Sequence, residues 1–125
     1  MTQEEKELLL KALCELLPYK LHCRVFRLNG DIKENDDILY GVIGDNVVTL
    51  KSDKDECLMY YQIKPYLRPM SSMTNAERDR MRKDINKMHE DITDWLNKYH
   101  FNYRGLIKKG LALEAPEKMY NTKTE

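Results

Sequence analysis

Residues 20–63 decide the fold, and they read KLHCRVFRLNGDIKENDDILYGVIGDNVVTLKSDKDECLMYYQI. Apolar and polar side chains alternate from Lys20 to Leu28, which is the period of a half-buried strand. The connection from Asn29 to Asp37 is expected to be a loop. Further strands are expected over 38–43, 47–50 and 56–63, the first two joined by a hairpin turn at 44–46. Four strands in about 45 residues leave no room for crossover helices, so they predict an antiparallel sheet.

A helix is expected before the strands and a rigid segment after them. Thr2 and Glu5 have the T-x-x-E spacing of a capping box, which satisfies free amides at a helix start. Leucines follow at helical spacing until Pro18, which cannot continue a helix. Beyond the strands, Pro65 and Pro69 bracket three residues and predict a rigid exit from the sheet.

A long helix is expected to begin at a second capping box, Thr74 and Glu77. A short helix is expected over Tyr103 to Lys109, with Gly110 ending it. The apolar stripe of the long helix recurs every three to four residues and consists of Met81, Ile85, Met88, Ile92, Trp95, Leu96 and Tyr99.

The length of 125 residues is that of one domain. We predict a single α+β domain over residues 1–116: an N-terminal helix, a four-stranded antiparallel sheet or small SH3-like barrel, a long helix and a short C-terminal helix. Residues 117–125 are expected to be a mobile tail. Basic and acidic residues both number 21, which argues against coating of nucleic acid by bulk electrostatics. An acidic N-terminus, three unpaired cysteines and the lack of a long apolar run predict a cytoplasmic protein.

Patterns of catalytic and metal-binding residues are sparse. Adjacent His22 and Cys23 point to opposite faces of a strand, and Thr93 breaks the H-E-x-x-H pattern that His89-Glu90 begins. The sequence has no C-x-x-C, no G-x-S-x-G and no glycine-rich phosphate loop. We therefore expect a protein that is not an enzyme and that uses neither a metal nor a cofactor.

A polar cluster before the long helix predicts an anion site. Free amides and the helix dipole attract phosphate to a helix N-terminus, and an arginine adds a two-point contact. The expected anion ligands are Arg68, Ser71, Ser72 and Thr74, and the residues expected to stack a base are Tyr61 and Tyr66, beside Tyr60. Together they predict a nucleotide pocket. In the alternative interpretation, Arg68 pairs with an acid, the serines cap the helix and the tyrosines fill the seam between sheet and helix.

A second cluster is locally basic and contains Tyr103, Arg104, Lys108 and Lys109. Tyr103 and Arg104 combine an aromatic face with a positive charge, as single-strand binding requires, whereas the alternative is a purely structural role. The methionines of the long helix offer an adaptable surface for a protein partner, or alternatively belong to the core.

Three segments resemble a known group of proteins: LLPY at 16–19, KPYLRPMSSMT at 64–74 and NYRGLIKKGLALEAP at 102–116. They are similar to uncharacterised small proteins encoded by phages and prophages of Bacteroidales-type gut bacteria. The resemblance runs from the first helix to Pro116 and is least in the middle strands and over 29–37. It implies a phage-related context in the host bacterial cell, and it implies no reaction and no catalytic residue.

Small phage proteins commonly act by binding, and this analogy shapes the expected function. We expect a non-catalytic counter-defence or host-takeover factor that sequesters a nucleotide-type signalling ligand or binds a host protein. One alternative is a nucleic-acid-associated accessory protein that uses Tyr103, Arg104, Lys108 and Lys109. Another is a structural protein–protein adaptor, including assembly with further copies of itself. No membrane partner is expected.

Overall fold

The computed structural model describes residues 2–29, 31–43, 47–52, 54–88, 91–116 and 119–120. Within these residues the chain forms three α-helices and six strands, so the predicted combination of helices with a sheet is confirmed. In chain order, these elements are α1 (Gln3–Leu16), β1 (His22–Asn29), β2 (Asp31–Ile43), β3 (Val47–Leu50), β4 (Leu58–Met59), β5 (Ile63–Leu67), α2 (Asn75–Met88), α3 (Ile92–Lys98) and β6 (Leu113–Glu114). Among the same residues, no helix is long and apolar enough to cross a membrane.

The strands form one open sheet in the order β4-β3-β2-β1-β5-β6. Neighbouring strands are antiparallel except β5 and β6, which run parallel, with Tyr66 opposite Leu113. The expected four-stranded antiparallel layout is therefore matched only roughly. The sheet is mixed, has six strands and does not close into the SH3-like barrel.

The segment expected to be a loop is the first half of β2. It pairs with β1 from Asn29↔Asp31 to His22↔Ile38, and Arg24 forms a cross-strand ion pair with Asp36 at 3.3 Å. The prediction failed because this segment is almost wholly polar, whereas strands are recognised by alternating apolar residues. The second half of β2 pairs with β3, which confirms the expected hairpin; its turn at 44–46 lies outside the described residues.

The strand expected over 56–63 is two strands. β4 is only two residues long, and after the 3₁₀ turn Tyr60–Gln62 the chain enters β5, where Pro65 lies opposite Cys23 of β1. Pro65 therefore lies within a strand and does not mark an exit from the sheet, because the fixed φ of proline is compatible with an extended strand. Pro69 follows the end of β5, where the chain enters the 3₁₀ turn Met70–Ser72. Tyr60 is buried, and the side chain of Tyr61 lies outside the described part of the chain.

The capping box of α1 is confirmed, but the predicted long helix is two helices. Helix α2 ends at Met88, and Asp91 caps α3 by accepting a hydrogen bond from the Thr93 amide at 2.9 Å. The periodic stripe continues across the break, so the sequence pattern alone did not show it. Residues 89–90 lie outside the described residues.

The short helix expected over 103–109 is a series of turns, with Gly105 in the left-handed region at φ 71°. Gly110 ends the last turn as predicted. The Leu111 amide donates to Leu106 O and the Gly110 amide to Ile107 O, both at 3.0 Å, which is the pattern of a Schellman motif.

Two groups of buried side chains hold the fold together. The first lies between α1 and the inner face of the sheet, where Leu21, Cys23 and Val25 are fully buried as the alternation predicted. The second surrounds Trp95 and Phe101, against which part of the expected stripe packs.

The predicted tail is anchored at one position. The Tyr120 hydroxyl donates to Tyr66 O at 2.7 Å and accepts from the His22 amide at 3.0 Å, so this residue belongs to the domain. Residues 117, 118 and 121–125 lie outside the described residues.

Candidate functional site

Arg68, the cation of the predicted anion site, is buried in an ion pair. Its two terminal nitrogens donate to the two carboxylate oxygens of Glu77, each at 2.7 Å, and its guanidinium lies 4.2 Å from the ring centroid of Phe101. Arg68 and Glu77 are only 6% and 1% exposed. This geometry matches the alternative interpretation of the cluster: the guanidinium expected to bind a ligand binds Glu77 instead.

Thr74 and Glu77 form the predicted capping box at the start of α2. The Glu77 amide donates to Thr74 Oγ1 and the Thr74 amide to Glu77 Oε1, both at 3.1 Å. Burial opposes ionisation of Glu77, but the hydrogen bonds from Arg68 and Thr74 outweigh it, so the pKa of this carboxyl is lowered. The end of the helix that was expected to attract a phosphate is therefore occupied by a carboxylate of the chain itself.

The remaining residues of the predicted nucleotide pocket do not converge. Ser71 and Ser72 are exposed in the 3₁₀ turn Met70–Ser72, and the Ser72 hydroxyl donates to Pro69 O at 2.6 Å. Tyr66 of β5 is buried, and its hydroxyl donates at 2.7 Å to Asp36 of β2, across the intervening strand β1. The side chain of Tyr61 lies outside the described residues.

The second predicted cluster is tied to α1 by Glu15. The Tyr103 hydroxyl donates to Glu15 Oε2 at 3.1 Å, and Arg104 pairs with the same oxygen while its Nε donates to the Tyr103 hydroxyl. Lys108 and Lys109 are exposed beyond this network. Of the residues expected to bind a nucleic-acid strand, Tyr103 and Arg104 are thus engaged in an internal contact.

Among the described residues, no group of three or more His, Cys, Asp or Glu side chains is placed to hold a metal ion. His22 and Cys23 lie on opposite faces of β1, as the alternation predicted.

A groove beside the middle of β2 has the chemistry of a binding site. It lies between the 3₁₀ turn Leu17–Tyr19 and the paired strands β2 and β3, and its volume is about 250 Å³. We call it the lysine groove. Its lining residues are Leu17, Pro18, Lys20, Ile38, Leu39, Tyr40, Lys51 and Lys54.

The lysine groove combines positive charge with an apolar floor. Of the described residues that line it, three are lysines and none is acidic. Tyr40 is 53% exposed, and the Lys54 ammonium lies 4.4 Å from its ring centroid. Ammonium groups hold phosphate or carboxylate oxygens, and an exposed ring can stack against a flat heterocycle.

Asp37 fixes the side of the groove that carries two of the lysines. Its carboxylate accepts hydrogen bonds from the Ile38 amide at 2.8 Å, the Ser52 amide at 3.4 Å and the Ser52 hydroxyl. The Lys51 amide also donates to Ile38 O at 2.9 Å. These contacts tie the turn after β3, from which Lys51 and Lys54 extend, to the start of the second half of β2.

Lys20, the third lysine, has an unusual backbone. Its φ and ψ are 52° and 60°, in the left-handed region that non-glycine residues rarely adopt. This conformation turns the chain sharply from the 3₁₀ turn into β1 and places Lys20 across the groove from β2.

Sequence reasoning missed the lysine groove because its residues come from three separate segments. Lys20 stands at the start of the first expected strand, and Lys51 and Lys54 lie between the strands expected over 47–50 and 56–63, where lysine is ordinary. The usable signal was that Lys20 and Lys51 each lie at the edge of an expected strand, and the structure places the start of β1 and the end of β3 beside neighbouring residues of β2, Ile38 and Leu39. Recognising it required the pairing of β2 with β3, which brings residues 38 and 51 together.

Comparison with known proteins gives no further identification. The chain matches no protein-family model, no curated protein and no solved structure.

Proposed function

We propose that the protein is a non-catalytic binding protein that sequesters an anionic, nucleotide-type ligand in the lysine groove. The observation that carries this proposal is the convergence of Lys20, Lys51 and Lys54 around the exposed ring of Tyr40. The proposal keeps the ligand class expected from the sequence and moves the site from Arg68 to this groove.

The charge of the groove supports an anionic ligand. Three ammonium groups contribute about three positive charges at neutral pH, and the described lining contains no carboxylate to offset them. The chain as a whole has no net charge, so this is a local concentration of positive charge rather than a general property of the surface. Such a site attracts phosphate groups and weakens as salt rises.

The shape of the groove supports a ligand with a flat ring. Tyr40 presents its ring beside the lysines, and Ile38, Leu39, Leu17 and Pro18 provide an apolar surface. Stacking of a base on an aromatic side chain contributes about 1–3 kcal/mol and tolerates different bases. Because the groove is smaller than the 300–1,000 Å³ typical of enclosed ligand pockets, a bound nucleotide would remain partly exposed.

The cellular role follows from the resemblance to phage and prophage proteins. A small phage protein that binds a nucleotide without converting it can lower the free concentration of a host signalling ligand, which is the expected counter-defence role. None of the described residues that line the groove forms a nucleophile–base pair, and binding alone is sufficient for sequestration.

Calorimetric titration with a panel of ligands tests the proposal. The panel contains nucleoside mono-, di- and triphosphates, cyclic nucleotides, short single-stranded oligonucleotides and inorganic tripolyphosphate. We expect at least one nucleotide to bind, and each substitution Lys20→Ala, Lys51→Ala or Lys54→Ala to weaken it about tenfold, the value of one charge-assisted contact. We expect Tyr40→Ala to weaken the nucleotide but not tripolyphosphate.

The groove triple Lys20→Ala, Lys51→Ala, Lys54→Ala should abolish binding of the nucleotide. Its matched control is the triple variant Lys83→Ala, Lys87→Ala, Lys108→Ala, which removes three exposed lysines outside the groove and changes the net charge equally. It should bind the nucleotide as the unmodified chain does. The proposal fails if no nucleotide binds, or if the control triple loses as much affinity as the groove triple. Tighter binding of oligonucleotides than of free nucleotides would support the nucleic-acid alternative instead.

A further inference from the structure

His100 and Tyr120, two residues outside the lysine groove, stack on each other beside the 3₁₀ turn that precedes Lys20. The His100 ring nitrogen Nε2 is 2.5 Å from Tyr19 O, and the ring of His100 stacks on that of Tyr120 with centroids 3.8 Å apart and planes 9° apart. Since a carbonyl oxygen can only accept, Nε2 carries the proton and donates to it. This contact joins the region after α3 to the 3₁₀ turn that borders the groove.

The bonded carbonyl belongs to the peptide group that contains the Lys20 amide nitrogen. A hydrogen bond that holds Tyr19 O therefore also holds the plane of this peptide group. The φ of Lys20 is the rotation about the next bond, and it lies in the left-handed region. A left-handed lysine persists only where the surrounding structure holds it. The hydrogen bond from His100 supplies such a restraint at the adjoining peptide.

His100 occupies a position at which glycine would be favoured. The His100 amide donates to Asn97 O at 3.0 Å and the Phe101 amide to Leu96 O at 2.9 Å, so α3 ends in a Schellman motif with His100 at its left-handed position, φ 64°. The same motif after Leu106 uses Gly110. A histidine at this position carries a conformational cost that glycine would not have, so its side chain has a role that offsets the cost.

Tyr120 holds the His100 ring from the other side. It lies between the rings of His100 and His22, the latter edge-on with centroids 5.1 Å apart, and its hydroxyl is anchored to the backbone of β1 and β5. Burial lowers the pKa of His100 to about 4, against a smaller opposing effect of its bond to Tyr19. The ring is therefore neutral at pH 7, as a single-donor tautomer requires.

We propose that His100 is a positioning residue for the lysine groove: its hydrogen bond to Tyr19 O holds Lys20 in the left-handed conformation that places it in the groove, and Tyr120 locks His100 in that position. The ligand part of this proposal rests on the proposed function. The conformational part does not, because it concerns the protein without ligand.

The variant His100→Gly gives a sharp test, since glycine suits the left-handed position and leaves the end of α3 intact. In the ligand-free protein, a residue with positive φ gives a strong intraresidue cross-peak between its amide and α protons in a nuclear Overhauser spectrum. We expect this cross-peak to be strong for Lys20 in the unmodified chain and weak in His100→Gly. Tyr120→Ala, which removes the locking ring, should weaken it in the same direction. An unchanged Lys20 cross-peak in His100→Gly would overturn the proposal.

Titration with inorganic tripolyphosphate supplies the second readout. His100→Gly should weaken binding up to about tenfold, approaching the effect of Lys20→Ala, and should have no further effect when Lys20 is already alanine. A merely structural role predicts equal losses in both backgrounds, and that result would contradict positioning through Lys20. If the unmodified chain binds neither tripolyphosphate nor any nucleotide, the proposed function fails while the Lys20 cross-peak still decides the role of His100.

Discussion

The guanidinium of Arg68 and the carboxylate of Glu77 face each other in a two-point ion pair that joins the end of β5 to the first turn of α2. Glu77 also accepts from the Thr74 amide, and the Phe101 ring covers the guanidinium, so the charges are shielded from solvent and both carboxylate oxygens are hydrogen-bonded. A buried pair of this kind is costly to break because the remaining partner is left as an uncompensated buried charge.

We expect Arg68→Ala to lower the free energy of unfolding by about 3–5 kcal/mol, because it leaves the Glu77 carboxylate buried with only its helix-cap contacts. Arg104→Ala is the matched control: it breaks a more exposed ion pair, with Glu15, and should cost about 1 kcal/mol. Urea denaturation followed by circular dichroism measures both. Equal losses for the two variants would contradict the structural role assigned to Arg68.

Because the pKa of Glu77 is lowered, the free energy of unfolding depends on pH in the acidic range. Because the carboxyl releases its proton more readily in the folded chain than in the unfolded one, the stabilisation is complete above the unfolded pKa, near 4.5, and is lost as pH falls through the folded pKa. We expect the free energy of unfolding to decline below about pH 4.5 less steeply in Glu77→Gln than in the unmodified chain. Urea denaturation at a series of pH values measures this slope, and parallel slopes would refute the assignment.

The features that the sequence predicted correctly are those set by local patterns. Both capping boxes, the alternation of β1 and the stop at Gly110 depend on residues within a few positions of one another. The first half of β2 was missed because its pairing depends on β1 and not on its own apolar pattern. The break between α2 and α3 was missed because the stripe of Trp95 and its neighbours continues in phase across it.

The candidate site was less predictable than the fold because burial changes what a residue can do. Arg68 has the sequence context of an anion ligand, and only the arrangement of β5, α2 and Phe101 shows that Glu77 occupies it. Conversely, Lys20, Lys51 and Lys54 form one surface only after β2 has paired with β3. Side-chain chemistry was visible in the sequence, whereas the partner of each charge was decided by long-range contacts.

The three cysteines should differ sharply in reactivity. Cys14 and Cys57 are exposed, whereas Cys23 is fully buried in the sheet, and burial raises the pKa of its thiol to about 12. Since the thiolate is the reactive form, Cys23 should remain unmodified while the other two react. Brief treatment with iodoacetamide followed by mass spectrometry should show two added groups in the folded chain and three in urea. Rapid modification of Cys23 in the folded chain would contradict its placement on the inner face of β1.

His100 gives a second, separate pH dependence. Burial is the largest influence on this ring, and the nearby positive charges of Arg68 and protonated His22 add to it, whereas the bond to Tyr19 opposes it. The pKa of His100 is therefore about 4 in the folded chain, against the ordinary value of 6.5 for histidine. Between these two values the unfolded chain binds a proton at this residue that the folded chain does not.

The contribution of His100 to the free energy of unfolding should therefore be fully present above about pH 6.5. It should decline as pH falls toward 4 and change no further below the folded pKa. The lowered pKa of His100 should change the free energy of unfolding by about 3 kcal/mol at most, since one pKa unit corresponds to about 1.4 kcal/mol. Urea denaturation between pH 7 and pH 4.5 measures it, with His100→Gly as the control, because this variant has no ring to titrate and keeps the end of α3. We expect the unmodified chain to lose more stability than His100→Gly across this interval. A ring-proton resonance of His100 that titrates near the ordinary value of 6.5 would contradict the burial of the ring against Tyr120.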